Sequence, residues 1–531
     1  MKASWMALAA GSVAALGATL GAGAANAAGP RGGKMVYERR ADSLFLDPVL
    51  NDANVDIWVL TNLYDTLIQP SNDGKKLNPG LATSWSTSAD GLAFTLKLRP
   101  GTKFSDGSPI TADDVVWSLN RAKDPKEGIW NFLLVSIDSV SAQGDDTVVL
   151  KLKNPDPSLP AALATFNTAI MPRKLVEAAA GATLDDKAKA FAEHPVGSGP
   201  FVLADWKRGS TMTIKRNPYY WDKGTDGKPL PYLDEVDFQI IPDDATRILK
   251  LRAGEADGSE FIPFARVKEL QGDASLNMEL YPSTAVSYMT LNDRPTLADG
   301  SKNPLNDVRV RQALNYATNK SAMIQIVTHG IGTPMRSFMS ATTPLFADQG
   351  PAYPYDAAKA KALLKDAGYG SGMSLSTLVL AGSADQLTIV SAVQQMWSQV
   401  GVKLKIEQVD NPTLDARYHK PDFQMRTGEW TNDINDPNEI TSYFAYYPNI
   451  ENQHSGWQDK EADALYEASQ KETDATKRAA QYAQIQSIYM KAAPILFLYE
   501  SPYPVALRKQ VDGFWQTPLG NNIFEYATVA R

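Results

Sequence analysis

Alternation of apolar and polar residues marks the first strands of the chain. In the segment AFTLKLR, residues 93–99, every second side chain is apolar, as in a half-buried strand between two turns. A helix follows, with Thr111 at its predicted N-cap, and another strand is expected at 147–152. These elements predict an α+β module within residues 77–193.

The second half of the chain has a different pattern. A strand at 375–380, a helix at 384–399 and a strand at 402–409 form a β-α-β unit, which is typical of a parallel α/β sheet. A helix is predicted at 308–322, and residues 494–498 form a compact apolar strand. This half is therefore expected to be a separate α/β domain.

Several short strands lie between these two regions. Segments 201–203, 211–215 and 236–241 are too short to form a unit of their own, so they are expected to complete a sheet that begins at 34–39. The chain must then leave a domain and return to it. Paired crossings of this kind predict a hinge between two lobes.

The N-terminus has the pattern of a secretory signal peptide. Lys2 precedes an apolar, Ala- and Gly-rich run at 5–25, and Ala25-Asn26-Ala27 is a small-x-small cleavage pattern. A transmembrane anchor is the alternative, but such anchors are richer in Leu. We expect residues 1–27 to be removed on export.

Composition narrows the class of protein. The 531 residues suggest two or three domains, and the net charge of −8 with no basic run argues against nucleic-acid binding. The absence of cysteine excludes disulfides, thiol catalysis and the lipid-modified cysteine of a lipoprotein. An exported chain without cysteine suits the periplasm.

Enzyme motifs are missing from the sequence. There is no HExxH, P-loop or GxSxG pattern, and the four histidines have no ligand spacing. An acid pair for glycoside hydrolysis remains an open alternative, because the separation of such a pair in space cannot be read from sequence. No catalytic residue, metal or cofactor is predicted.

The stretch GEWTNDINDPNE, residues 428–439, is the strongest candidate site. It combines Trp430 with the acids Glu429, Asp433, Asp436 and Glu439. Its spacing does not fit a calcium loop, because, counted from Asp433, proline stands at the fifth position of the loop. An aromatic wall next to a carboxylate is what binding an organic cation requires.

The chain resembles the large solute-binding proteins of bacterial ABC importers, the peptide/opine/nickel-binding group called family 5. The resemblance runs from about residue 36 to the C-terminus. It is carried by LATSWSTSADGLAFTLKLRPGTKFSDGSPITADDVVWSLNR (81–121), PVGSGPF (195–201), RNPYYW (216–221), NDVRVRQALNYATNK (306–320) and AAPILFLY (492–499).

The resemblance implies an α/β, two-lobed periplasmic binding protein of type II, of the large three-domain variety, with a hinge and an inter-lobe ligand cleft. Lobe I would comprise residues 34–76, 194–285 and 495–531, the extra domain residues 77–193, and lobe II residues 286–494. The lobes would close on a small solute, and the closed form would dock, as a monomer, on membrane permease subunits whose ATPase is on separate chains.

The resemblance also implies roles for the motif Trp430-Thr431-Asn432-Asp433. In peptide-binding members a Trp-x-x-Asp sequence supplies the carboxylate that pairs with the ligand's amino group. Asp433 is therefore the predicted amine partner, Trp430 a pocket wall, and Asn432 a further ligand-binding residue. Asp436 is expected to shape the loop and Glu439 to be solvated.

Other site predictions are weaker. Arg426, on the strand before Trp430, is predicted to meet a ligand carboxylate, with Glu429 or Asp433 as alternative partners. Ser43 and Leu44 lie where the family's N-terminal segment borders the cleft. Glu429 departs from the family, in which peptide binders usually have glycine at this position.

The nature of the solute stays open at the level of sequence. A short peptide or similar amino-group-bearing solute is the leading hypothesis. An opine, amino-sugar or oligosaccharide is the second, and a nickel or metal chelate the third, which the dispersed histidines disfavour. A secreted hydrolase is a remote alternative, because no catalytic motif supports it.

Overall fold

The structure is a computed structural model that describes residues 31–350, 352–452 and 454–530. The predicted signal peptide, residues 1–27, lies outside these ranges. No helix within them is long and apolar enough to cross a membrane.

Strands form the centre of each lobe. Their bounds are β1 (Lys34–Arg39), β2 (Ile68–Pro70), β3 (Leu77–Pro79), β4 (Ala82–Thr87), β5 (Ala93–Leu98), β6 (Ile137–Ala142), β7 (Thr147–Leu152), β8 (Phe201–Lys207), β9 (Thr211–Arg216), β10 (Glu235–Ile240), β11 (Gly258–Ser259), β12 (Leu276–Tyr281), β13 (Val286–Leu291), β14 (Thr333–Pro334), β15 (Met373–Leu380), β16 (Val402–Val409), β17 (Met425–Trp430), β18 (Ile495–Glu500), β19 (Tyr503–Arg508), β20 (Val511–Asp512), β21 (Trp515–Gln516), β22 (Asn522–Ile523) and β23 (Thr528–Val529).

Helices cover the sheets. They are α1 (Asn54–Leu63), α2 (Ala112–Lys123), α3 (Leu159–Ala162), α4 (Arg173–Ala178), α5 (Leu184–Ala192), α6 (Asp244–Ala253), α7 (Phe264–Gln271), α8 (Val308–Ala317), α9 (Lys320–Val327), α10 (Ala357–Asp366), α11 (Ala384–Ser398), α12 (Asn411–His419), α13 (Asn438–Ala445), α14 (Lys460–Ser469) and α15 (Ala475–Ala492). The predicted N-cap of α2 is confirmed, because the Thr111 side chain accepts a hydrogen bond from the Asp114 backbone N–H.

The first lobe is built on a seven-stranded sheet in the order β12-β19-β11-β1-β10-β9-β8. The strands therefore come from three separated parts of the chain, as the sequence predicted: β8, β9 and β10 join the sheet that β1 begins. Strands β1 and β10 run parallel, and Arg39 is aligned with Ile240 at their carboxyl ends.

The second lobe has a six-stranded sheet in the order β14-β18-β13-β17-β15-β16. The predicted parallel unit is present, since β15 and β16 pair in parallel from Met373 opposite Val402 to Leu380 opposite Val409. Alternate residues of β18 face opposite cores: Leu496 and Leu498 pack on one side of the sheet, and Ile495 and Phe497 on the other.

A smaller four-stranded sheet, β4-β5-β7-β6, forms the extra module. Its buried residues, such as Leu96 and Leu150, belong to the same continuous hydrophobic core as Tyr37 and Phe238 of the first sheet. A shared core fixes the module to the first lobe far more firmly than a flexible linker would.

Two short segments connect the lobes, residues 282–285 between β12 and β13 and residues 501–502 between β18 and β19. The two segments are bonded to each other, because the Ser283 hydroxyl donates to the Ser501 carbonyl oxygen. This pair of adjacent crossings is the hinge that the sequence predicted.

Two sequence expectations need correction. Residues 495–500 were assigned to lobe I, but β18 pairs with β13 and β14 of the second sheet, so the chain returns to lobe I only at 501–502. A fully apolar strand carries no pattern that tells which sheet it joins. The single helix predicted at 308–322 is two helices, since the Asn319 side chain caps α9 by accepting from the Ala322 N–H.

Candidate functional site

The loop between β17 and α13, residues 431–437, reaches from the second lobe into the first. Ile434 is 1% exposed and belongs to the hydrophobic core of lobe I. Asn435 donates from Nδ2 to the Gly74 carbonyl oxygen of that lobe. At the start of α13, Asn438 Nδ2 lies 3.1 Å from Ser158 Oγ of the extra module. The lobes are therefore in contact, and this loop makes much of the contact.

The half-buried Asp433 and the buried Glu439 form a carboxyl pair at this loop. Glu439 Oε2 accepts the backbone N–H groups of Asp433, at 2.9 Å, and of Ile434, at 3.3 Å. Burial raises the pKa of both carboxyl groups, and the adjacent charge of Asp433 raises the pKa of Glu439 further. Two facing carboxylates would repel each other, and this repulsion favours one proton on the pair.

The prediction that Glu439 is solvated is therefore wrong. Its side chain is 1% exposed, and its Oε1 has no hydrogen-bond donor within the part of the chain that the structure describes. The error arose because Glu439 lies in the first turn of a helix, where acids are usually exposed and interact with the helix dipole. The backbone N–H groups that donate to the Glu439 side chain belong to the preceding loop and not to the helix.

Asp436 anchors the loop to the body of lobe II. Its two carboxylate oxygens accept hydrogen bonds from Arg478 Nη1 and Nη2, both at 2.7 Å, and both side chains are less than one-tenth exposed. The two-pronged geometry fixes the direction of the loop. A role in shaping the loop, predicted for Asp436, agrees with this arrangement.

Asn432 connects the loop to the hinge. Its backbone N–H donates to Thr284 Oγ1 at 2.9 Å, and its side chain donates to Thr343 Oγ1 at 3.2 Å and accepts from Trp430 Nε1 at 3.1 Å. The side chain is 1% exposed. Because these protein partners occupy its amide group, we assign Asn432 to positioning the loop, and its predicted contact with a ligand is not part of the proposed site.

Trp430 is half-buried at the end of β17. Its ring lies 4.7 Å from the ring of Tyr443 and 5.8 Å from that of Phe444, centroid to centroid. Both partners are on α13, so the aromatic cluster packs the helix against the strand that leads to Asp433. A ring fixed in this way has little freedom to move, and the role of Trp430 as a pocket wall stays a prediction.

Glu429 lies in a different setting from its neighbours. Its side chain is exposed, yet surrounding protein raises its pKa by desolvation, as expected for a group on the wall of a cleft. Ser287 Oγ donates to it at 3.4 Å. The charge of Asp385 raises its pKa further, and that of Arg40 lowers it. Arg40 follows β1 of lobe I, so charges of opposite sign face each other from the two lobes.

Arg426 has a different partner from those predicted. Its guanidinium carbon lies 3.9 Å from the centroid of the Tyr418 ring, and its Nε donates to the Thr427 carbonyl oxygen at 3.2 Å. Neither Glu429 nor Asp433 forms an ion pair with it in the described residues. Arg426 is four residues before Trp430 on the same strand, at the far end of β17 from the carboxyl pair.

Ser43 and Leu44 belong to lobe I and form hydrogen bonds within it. The Ser43 hydroxyl donates to the Val55 carbonyl oxygen at 3.1 Å, and the residue is 2% exposed. Leu44 is 69% exposed, and its backbone N–H donates to Asp56 Oδ1 at 2.5 Å. Since the Ser43 side chain is buried and bonded, the proposed site omits it.

Asp433 also lines a cavity of about 150 Å³ that extends into lobe I. Two more carboxyl groups line it, Asp65 at the end of α1 and Glu525 near the C-terminus. Burial raises the pKa of Asp65 to about 7, and burial together with the charge of Asp65 raises the pKa of Glu525 to about 8. Sequence reasoning missed both residues, because they belong to no motif and come together only through the fold.

Within the described ranges, no three His, Asp or Glu side chains are arranged so that they could hold one metal ion. The arrangement instead offers negative charge, an aromatic wall and exclusion of water between two lobes that a hinge connects. Chemically, such a site suits a small solute with a positively charged group.

This architecture, two α/β lobes joined by a double crossing with the site at their junction, defines the type II periplasmic binding proteins. Comparison with known families gives the narrower class. Residues 76–452 match the model of the bacterial extracellular solute-binding proteins, family 5, middle region. The chain belongs to this family.

Individual relatives are distant but cover almost the whole chain. The probable D,D-dipeptide-binding periplasmic protein DdpA of Escherichia coli K12 is 29% identical over 94% of each chain. Heme-binding protein A of Haemophilus influenzae is also 29% identical, over 87% of this chain and 86% of its own.

A solved structure agrees with the fold. The periplasmic binding protein DppA of Helicobacter pylori, in complex with the peptide STSA, has a TM-score of 0.78 and 26% identity over 94% of this chain and 99% of its own. The names of these relatives cover different solutes, so membership of the family leaves the solute of this chain to be argued from its own residues.

Proposed function

We propose that the protein binds a peptide, or a similar solute with a free amino group, between its lobes in the periplasm and delivers it to the permease of an ABC importer. The carrying observation is the Asp433–Glu439 carboxyl pair at the lobe junction. With one proton between them, the pair keeps one negative charge, which suits one ammonium group.

Several features support this proposal. The 431–437 loop touches lobe I, the hinge and the extra module, so a solute bound at Asp433 acts on the contacts that hold the lobes together. Binding energy and lobe closure are then linked. DdpA is named as a probable D,D-dipeptide-binding protein and the DppA structure holds the peptide STSA, which favours a peptide over the other solutes of the family.

The proposal has further parts, which the family and the sequence support. The protein acts as a monomer without catalysis, is exported by its signal peptide and carries no lipid anchor. The closed form contacts permease subunits, while ATP hydrolysis takes place on separate chains. No contact with nucleic acid is proposed, because the net charge is −8.

Titration calorimetry with the tripeptide Ala-Ala-Ala and its N-acetylated form tests the assignment. Acetylation removes the ammonium charge, so the wild-type protein should bind only the free peptide. Asp433→Asn should weaken binding of the free peptide by about 2–5 kcal/mol, because one partner of a buried charge pair is lost. Equal binding of the two peptides, or an Asn variant with wild-type affinity, would exclude this role of Asp433.

A further inference from the structure

The cavity that Asp433 shares with lobe I has an unusual charge balance. Three carboxyl groups line it, those of Asp65, Asp433 and Glu525, and none of the described residues that line it is Lys, Arg or His. The remaining polar lining consists largely of amide and hydroxyl side chains, among them Asn62, Gln69, Asn72, Asn78 and Asn521. Such a cavity attracts cations and repels anions.

Unpartnered oxygen atoms point to the same chemistry. Glu525 Oε1, Asn521 Oδ1 and Thr61 Oγ1 line this cavity, are shielded from solvent and have no hydrogen-bond partner in the described part of the chain. Buried acceptors are almost always satisfied in folded proteins. A ligand that donates several hydrogen bonds would satisfy these atoms.

The position of Asp433 relates the cavity to the proposed solute. A solute whose amino group meets Asp433 places the side chain of its first residue next to the cavity, because both groups leave the same carbon atom. The cavity of about 150 Å³ is large enough for a single side chain. Asp65 and Glu525 lie on the lobe I side of this space.

We propose that this cavity binds a second positive charge, so that the protein selects peptides whose first residue is Lys or Arg. The inference rests on the proposed function and adds a substrate class to it. An ammonium or guanidinium group donates three or more hydrogen bonds and accepts none, which matches a lining rich in unpartnered acceptors. Asp65 and Glu525 are the residues that determine the specificity.

The charged groups around the cavity determine whether binding of the solute releases protons. Asp222 faces both Asp65 and Glu525, and Arg99, stacked 3.8 Å from the ring centroid of Trp221, is the cation near Asp65. Trp221 Nε1 and Gln69 Nε2 donate to Asp65 at 2.6 and 3.0 Å. Since pKa values of about 7 for Asp65 and about 8 for Glu525 leave them partly protonated, a cationic side chain should release protons on binding.

Titration calorimetry of the full-length mature protein with Lys-Ala-Ala and norleucine-Ala-Ala tests the inference. Norleucine keeps the unbranched side chain of lysine and lacks its ammonium group. We expect Lys-Ala-Ala to bind at least about tenfold more tightly, as for a hydrogen bond to a charged group. The same titration in two buffers of different ionisation enthalpy should show proton release with Lys-Ala-Ala only.

Variants identify the responsible residues. Glu525→Gln should reduce the preference for Lys-Ala-Ala at least about threefold and reduce the proton release, while leaving the affinity for norleucine-Ala-Ala nearly unchanged. Asp138→Asn is the matched control, because Asp138 is an exposed carboxylate on β6 of the extra module, and it should change neither value. The wild-type comparison of the two peptides tests the preference for a cationic side chain even if a variant fails to fold.

The possible outcomes distinguish the cation preference from the proposed function. Equal binding of both peptides would overturn the cation preference and leave the proposed function standing. Failure of every peptide to bind would overturn the proposed function and this inference with it. A preference for lysine that survives unchanged in Glu525→Gln and in Asp65→Asn would overturn the assignment to this cavity.

Discussion

The carboxyl pair Asp433 and Glu439 dominates the chemistry of the site at the scale of single residues. Burial and their mutual charge hold one proton on the pair near neutral pH. The two groups have different positions: Glu439 accepts two backbone N–H groups of the loop, while Asp433 faces the cavity.

This arrangement predicts a pH dependence of peptide binding. Because the pKa of Asp433 is raised, it takes up a proton as the pH falls, well above the usual value of about 3.9 for Asp, and affinity for an ammonium group should then decrease. Above about pH 8 the peptide's own amino group loses its proton, so affinity should pass through a maximum. Calorimetry from pH 5 to 9 checks this, and Asp433→Asn should remove the acidic limb.

The Arg478–Asp436 pair predicts an effect on stability. Arg478→Met leaves the Asp436 carboxylate buried without a partner and should lower the free energy of unfolding by about 3–5 kcal/mol. Adding Asp436→Leu should recover part of that loss, because the buried charge is then removed. Urea unfolding curves of the two variants provide the measurement, and a single variant as stable as the wild type would contradict the anchoring role.

At the scale of elements, the loop after β17 is connected to both lobes through the hinge. Thr284 lies in the first crossing, accepts from the Asn432 N–H at 2.9 Å and donates from its hydroxyl to the Pro518 carbonyl oxygen at 3.2 Å. The neighbours of Pro518, Thr517 and Leu519, line the cavity. Loop, hinge and cavity wall are thus joined by consecutive hydrogen bonds.

Breaking this connection should weaken ligand binding. Thr284→Val keeps the shape of the side chain but leaves the Asn432 N–H without its acceptor, which costs about 1–3 kcal/mol in a buried site. We expect the affinity for the peptide to fall by about tenfold while its dependence on the free amino group remains. Thr476→Val, at an exposed position of α15, is the control and should leave affinity unchanged.

At the scale of the whole molecule, the buried carboxyl groups link stability to pH. Burial raises the pKa of Glu38 to about 7, that of Asp65 to about 7 and that of Glu525, assisted by neighbouring negative charge, to about 8. Between about pH 4 and pH 8 the unfolded chain loses these protons while the native state keeps them. The native state is therefore destabilised as the pH rises through this window.

Urea unfolding at pH 5, 6, 7 and 8 tests this expectation. The free energy of unfolding should decrease with rising pH, by about 1.4 kcal/mol per pH unit for each proton that only the native state retains. Glu525→Gln should reduce the slope of the free energy of unfolding against pH by about the contribution of one proton. A free energy that increases from pH 5 to pH 8 would show that these groups are ionised in the native state.

Much of the fold could be read from the sequence because it depends on local pattern. Alternating and helical periodicity identified the extra module and the β15-α11-β16 unit, and the separated short strands indicated a sheet built from distant segments. The periodicity of β18 did not reveal its sheet, since all six residues are buried. Position within the motif likewise predicted Asp433 as the central residue of the proposed site.

Tertiary structure alone decided what surrounds that residue. Asp65, Asp433 and Glu525 lie far apart in the sequence, and only the packing of the lobes places them on one cavity. The same packing turned Glu439, an ordinary helix-start acid in the sequence, into a buried proton-sharing partner. Sequence thus determined the family and the two-lobed fold and singled out Asp433 as a candidate, because these follow from local pattern and motif. The charge of the cavity and the link to the hinge depend on burial and long-range contacts, which local pattern does not encode.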